Sequence, residues 1–87
     1  MRKQIQDVIK QYIREEMLKT RSELKITQEE MAKRLQISTR AYTDIEGGKY
    51  GCSTITLFLY MFEVCPDSQK FLKGMRDILD QRKPDAA

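Results

Sequence analysis

The chain has no histidine and no tryptophan, and its 87 residues include only two cysteines, two prolines and four glycines. Without histidine it lacks the commonest general base near neutral pH and the commonest transition-metal ligand. Cys52 and Cys65 stand with twelve residues between them and form no CxxC pair. A structural zinc site takes four Cys or His ligands, so two thiols cannot build one. Both are read as reduced, Cys65 as a small apolar residue at a helix end and Cys52 as a loop residue. There is also no glycine-rich phosphate loop. These gaps leave little for catalysis to work with; the chain is read as a non-enzyme with no cofactor or metal, and no small-molecule ligand is evident. No run approaches the roughly 18 consecutive apolar residues of a membrane span. The opening Met-Arg-Lys-Gln-Ile-Gln-Asp has none of the apolar stretch of a secretory signal, so a cytoplasmic location away from any membrane is expected.

What is present suits one compact core. The sequence is 40% hydrophobic and 33% charged, and its length fits a single domain spanning residues 1–87. The net charge of +3 is unevenly spread: residues 1–26 carry seven Lys/Arg against four Asp/Glu, while 27–51 balance at four and four. The whole excess therefore sits on the first segment.

Apolar residues fall at helical spacing, and no stretch alternates as a strand would. Ile5, Val8, Ile9, Tyr12, Ile13, Met17 and Leu24 mark a long first helix over 1–24, with Lys25 in a left-handed or otherwise non-helical conformation at its exit. Thr27-Gln-Glu-Glu30 reads as a capping box, in which the Thr and Glu side chains each satisfy a free backbone N–H at the start of a second helix. That helix runs to about Leu35. After Gln36-Ile37-Ser38, a third helix over 39–46 is capped by Ser38 and stopped by Gly47-Gly48. Ser53 caps a fourth helix carrying Ile55, Leu57, Phe58, Met61 and Phe62, ended by Pro66. A fifth covers about 67–82, with Phe71, Leu72, Met75, Ile78 and Leu79 on one stripe, and the tail Arg82–Ala87 is expected to fray. The fold class is all-α, a five-helix bundle.

Two short helices around a three-residue turn make a helix-turn-helix arrangement at about 27–48. Its inward positions are Met31, Ala32, Leu35, Ile37, Tyr42 and Ile45. Ala32 sits where the two helices cross most closely, and Ile37 fills the space under the turn. The run Ile26–Lys49, ITQEEMAKRLQISTRAYTDIEGGK, resembles the lambda repressor–Cro (XRE) helix-turn-helix family. The likeness extends over about residues 17–65. Two positions depart from the family pattern: Gln36 stands where the turn usually has Gly, and Tyr42 replaces an aliphatic residue, so that its hydroxyl needs a partner or the protein edge.

The resemblance implies a lambda repressor-like DNA-binding domain whose third helix enters the major groove of double-stranded DNA as part of a transcriptional regulator. With Tyr42 and Ile45 turned inward, the outward set on that helix is Thr39, Arg40, Thr43 and Asp44, the candidates for base contact. Gln28, Lys49, Tyr50, Ser53 and Thr54 are the candidates for phosphate contact. The resemblance also implies a structural ion pair between Arg21 and Glu46. A single such domain reads only a few base pairs, so a homodimer on DNA is expected. Ile5, Val8, Ile9, Tyr12 and Ile13 either pack on the fifth helix or join its stripe in a dimer seam, with core packing favoured. An alternative from another class is a protein-interaction module, such as an antitoxin or accessory subunit, for which the balanced charge over 27–51 and Asp44 both speak.

Overall fold

Side chains that bond to their own backbone set most of the helix boundaries. In the computed structural model, which describes residues 2–82, the helices are α1 (Arg2–Leu24), α2 (Gln28–Arg34), α3 (Thr39–Glu46), α4 (Thr54–Leu59) and α5 (Ser68–Arg82). No strand occurs among the described residues, and none of their helices is long and apolar enough to cross a membrane. Apart from Arg82, the tail expected to fray lies outside them.

Three helices begin in the same way. The hydroxyls of Thr27, Ser38 and Ser53 accept from the backbone N–H of Glu30, Ala41 and Thr56, at 3.1, 3.0 and 3.1 Å. Each cap is worth about 1 kcal/mol. The Thr27 half of the expected capping box is thus present, while the described bonds contain no return bond from the Glu30 side chain. Asp67 serves α5, its Oδ1 accepting from Lys70 N–H at 3.1 Å.

Three helices also end alike. After α1, Lys25 N–H donates to Ser22 O and Ile26 N–H to Arg21 O. The same pair of bonds recurs at Gln36 and Ile37 after α2, and at Gly48 and Lys49 after α3. This double closure requires a left-handed residue at its centre, and Lys25, Gln36 and Gly48 have φ of 57°, 59° and 78°. Gly48 takes that angle freely; for Gln36 it costs about 1 kcal/mol, which the two bonds offset. The turn between α2 and α3 therefore holds its shape without the expected glycine.

α4 runs on into a π-helical turn, Tyr60–Val64, closed by Cys65 N–H on Tyr60 O at 2.7 Å. The sequence reading contained no such turn. Cys65 then becomes extended, as a residue before proline must. Ser68 Oγ donates to Met61 O, tying the start of α5 to the wide turn.

The core brings together Met17 of α1, Met31 and Leu35 of the α2 region, Tyr42 of α3 and Tyr60 of the π-helical turn, all fully buried. Ala32 is buried between α2 and α3 as expected, and Ile37 is partly buried against the core. Tyr60 Oη lies 2.8 Å from Thr20 Oγ1, so its phenol is satisfied. Tyr42 is a correction: its hydroxyl reaches neither the edge nor a hydrogen-bond partner of good geometry, because the ring is wholly enclosed. It lies in the field of the Arg21–Glu46 pair described below.

The amino-terminal apolar set divides between two neighbours. Tyr12 packs on α5, its ring stacked on Phe71 at 5.4 Å and its hydroxyl donating to Phe71 O at 2.8 Å. Ile5, Ile9 and Ile13 instead line a groove of about 710 Å³ against Ile45 and the loop Gly48–Cys52. Phe71 is buried, which removes it from any dimer seam, while Leu72 is exposed.

Candidate nucleic-acid interface

The carboxylate of Glu46 organises the region where α1, α2 and α3 meet. It is 7% exposed and accepts from Arg21 Nε at 2.5 Å and Nη2 at 3.2 Å. Arg21 Nη1 also donates to Ile26 O at 3.0 Å, so the guanidinium fixes the exit of α1 as well. Gln28 Nε2 donates to Glu46 Oε1 at 3.0 Å. A carboxylate can only accept, which forces the other end of the Gln28 amide, Oε1, toward α3. There it lies 3.2 Å from Thr43 Oγ1, a hydroxyl also 2.9 Å from Thr39 O. One chain of polar contacts therefore runs from Arg21 through Glu46 and Gln28 to the outer side of α3.

Burial opposes the charge on Glu46, yet the hydrogen bonds from Arg21 and Gln28, with the Tyr42 hydroxyl close by, outweigh it and hold the carboxyl below its ordinary value. The hydrogen bond to Glu46 likewise raises Arg21 against its own desolvation. Because the folded value of Glu46 is depressed, the stability it contributes is full above the unfolded-chain value, about 4.3, and is lost as pH falls through the lower folded value. Urea midpoints measured from pH 6 down to pH 3 are therefore expected to fall more steeply for the wild type than for Glu46→Gln. Parallel curves would show that another carboxylate controls the acid limit.

Of the expected base-contacting residues, Thr39, Arg40 and Thr43 are exposed and Asp44 is half-buried, all on the outer side of α3. The side chains of Thr39, Arg40 and Asp44 make no hydrogen bond or ion pair among the described residues, so their polar groups remain available. Arg40 and Asp44 share a groove of about 440 Å³ with Tyr50, Gly51 and Ser53.

The expected phosphate-contacting residues fare differently from one another. Gln28 is half-buried with both ends of its amide engaged, which leaves the first backbone N–H groups of α2 as the outward donors at that position. The Ser53 hydroxyl is occupied in capping, bonded to Thr56 N and Oγ1. Thr54 is exposed at the start of α4, and Lys49 is exposed with its ammonium 5.4 Å from the Tyr50 ring centre.

Sequence reasoning missed Arg14, whose Nε donates to Glu46 O at 2.6 Å and so places a cation at the carboxyl end of α3. The signal was there: Arg14 and Arg21 are seven apart, two turns along one face of α1. Cys52 and Cys65 are free and half-buried, and burial raises the Cys52 thiol. No protein-family model, curated protein or solved structure matches the chain.

Proposed function

We propose that α2 and α3 form a helix-turn-helix of the lambda repressor–Cro type, and that the chain binds double-stranded DNA as an intracellular transcriptional regulator, probing the major groove with α3. The observation that carries this reading is the division of polar groups on and around α3. Glu46, Gln28 and Thr43 are engaged with one another, whereas Thr39, Arg40 and Asp44 are presented outward with no internal partner. An Arg donating to a guanine edge, an Asp accepting from cytosine and a Thr methyl against thymine are all suitable base contacts. Lys49 and the backbone N–H groups at the starts of α2 and α4 supply anchors for phosphates on either side.

Selection of duplexes from a random pool tests this directly. A two-fold related pair of half-sites about one helical turn apart is expected, with log affinity falling linearly in log salt by about 0.9 per phosphate contacted. No enriched sequence and no binding at low salt would overturn it, and would leave the protein-interaction module.

A further inference from the structure

Ile55, Phe58 and Phe62 are 72%, 49% and 74% exposed, and they occupy one stripe of α4 and its π-helical continuation. Thr56, Tyr60 and Val64 of the same segment are buried, so the stripe is the face turned away from the core. Phe58 and Phe62 stack on each other at 6.1 Å with 29° between their planes. From Thr54 to Val64 the only charged residue is Glu63.

We propose that this stripe is where two copies of the chain meet, across a two-fold axis, when both are on DNA; the inference rests on the DNA-binding reading above. Two observations select a second copy as the occupant. A two-fold contact sets a surface against itself, so like charges on it would face each other. The stripe of α4 holds almost none, whereas the opening turns of α1 carry Arg2, Lys3 and Lys10 against the single acid Asp7. The stripe also starts beside the reading face, since Ser53 lines the groove shared with Arg40 and Asp44, two residues before Ile55. The stripe therefore begins close to where α3 would meet the duplex.

Area sets the strength. At these exposed fractions the three side chains offer roughly 350 Å² per copy, about 700 Å² for the pair. Stable interfaces bury about 1,600 Å², so the contact is too small to hold a free dimer at ordinary concentration. DNA carrying two half-sites removes that deficit by holding the copies at high effective concentration. The contact therefore appears as cooperativity on DNA rather than as a stable dimer in solution.

Sedimentation equilibrium and DNA titration of the full chain, wild type against Phe62→Asp, test this. Phe62 lies on the surface, so the variant is expected to melt with the wild type. Free wild type should be monomeric at about 10 μM and associate as concentration approaches about 1 mM, while the variant stays monomeric throughout. On a duplex with one selected half-site the two should bind equally. On a duplex with both half-sites the wild type should bind as a pair, and the variant should lose about 10- to 100-fold through lost cooperativity. A wild type that stays monomeric at about 1 mM, or one whose cooperativity survives Phe62→Asp, overturns the proposal. Equal half-site binding in that event leaves the DNA reading intact. If no duplex is bound at all, the DNA reading fails by itself, and the proposal of pairing on DNA falls with it even where free association is seen.

Discussion

Glu46→Ala is expected to lower the unfolding free energy by about 3 kcal/mol and, on the proposed DNA-binding function, to abolish high-affinity binding in the same variant. Removing one member of a buried pair leaves the other charge uncompensated, at a cost of about 3–5 kcal/mol. Arg21 is 23% exposed and can recruit water, so the lower end applies. For a domain of this size, each kcal/mol moves the melting temperature by about 4–8 °C, which makes the shift about 12–24 °C. The proposed DNA binding would go with it because Gln28 loses the acceptor that orients its amide, and Thr43 then loses the Gln28 oxygen. Glu46→Gln separates the two effects. It keeps an acceptor for Gln28 while losing the charge, so it should bind DNA better than its stability alone would suggest. Thermal melting and DNA titration on both variants decide this; an alanine variant that melts with the wild type would strip the ion pair of its structural role.

Gly74→Ala is expected to destabilise by about 2 kcal/mol, although alanine in mid-helix normally gains about 1 kcal/mol over glycine. A Cβ at Gly74 would lie 2.2 Å from Tyr12 Oη and 2.9 Å from Cζ. The ring cannot simply swing aside, being stacked on Phe71 and bonded to its carbonyl. Either α5 moves away from α1 or Tyr12 leaves its site. With Tyr12→Ala already in place the obstacle is gone, and Gly74→Ala should then stabilise by the usual increment of about 1 kcal/mol. Urea unfolding of the four combinations measures this coupling. Additive effects would mean that the contact between Tyr12 and Gly74 is absent in solution.

The helix ends were legible because their causes are local. Thr27, Ser38 and Ser53 bond to N–H groups three residues on, and the exits at Lys25 and Gly48 close on the preceding turn. The pairing of Arg21 with Glu46 was legible only through family resemblance, since residues 25 apart share no local pattern. Three things stayed hidden. Gln28 looked like an outward helix-start residue, and nothing in the sequence shows that Glu46 turns its amide inward. Gly74 sits in an uninterrupted helical pattern, and its purpose lies 62 residues away in Tyr12. In α4 the difficulty was different. Ile55, Leu57, Phe58, Leu59, Met61 and Phe62 surround the helix with apolar side chains, so periodicity does not say which face is buried. The core in fact takes Thr56, Tyr60, Met61 and Val64, and leaves Phe58 and Phe62 outside.

The buried and half-buried phenols have a consequence at the other end of the pH scale. Burial, above all other causes, moves the ionisation of Tyr12, Tyr42 and Tyr60, three of the four tyrosines in the chain, to higher pH. An unfolded phenol loses its proton near pH 10, so above that value the unfolded chain sheds protons that the folded chain retains. The stability tied to these protons is whole below about pH 10 and drains away as alkali is added. Folding thus acts as a proton reservoir at high pH, while at low pH it excludes a proton from Glu46. Groups inside the fold that resist changing charge thus make its stability depend on pH in opposite directions at the two ends of the scale.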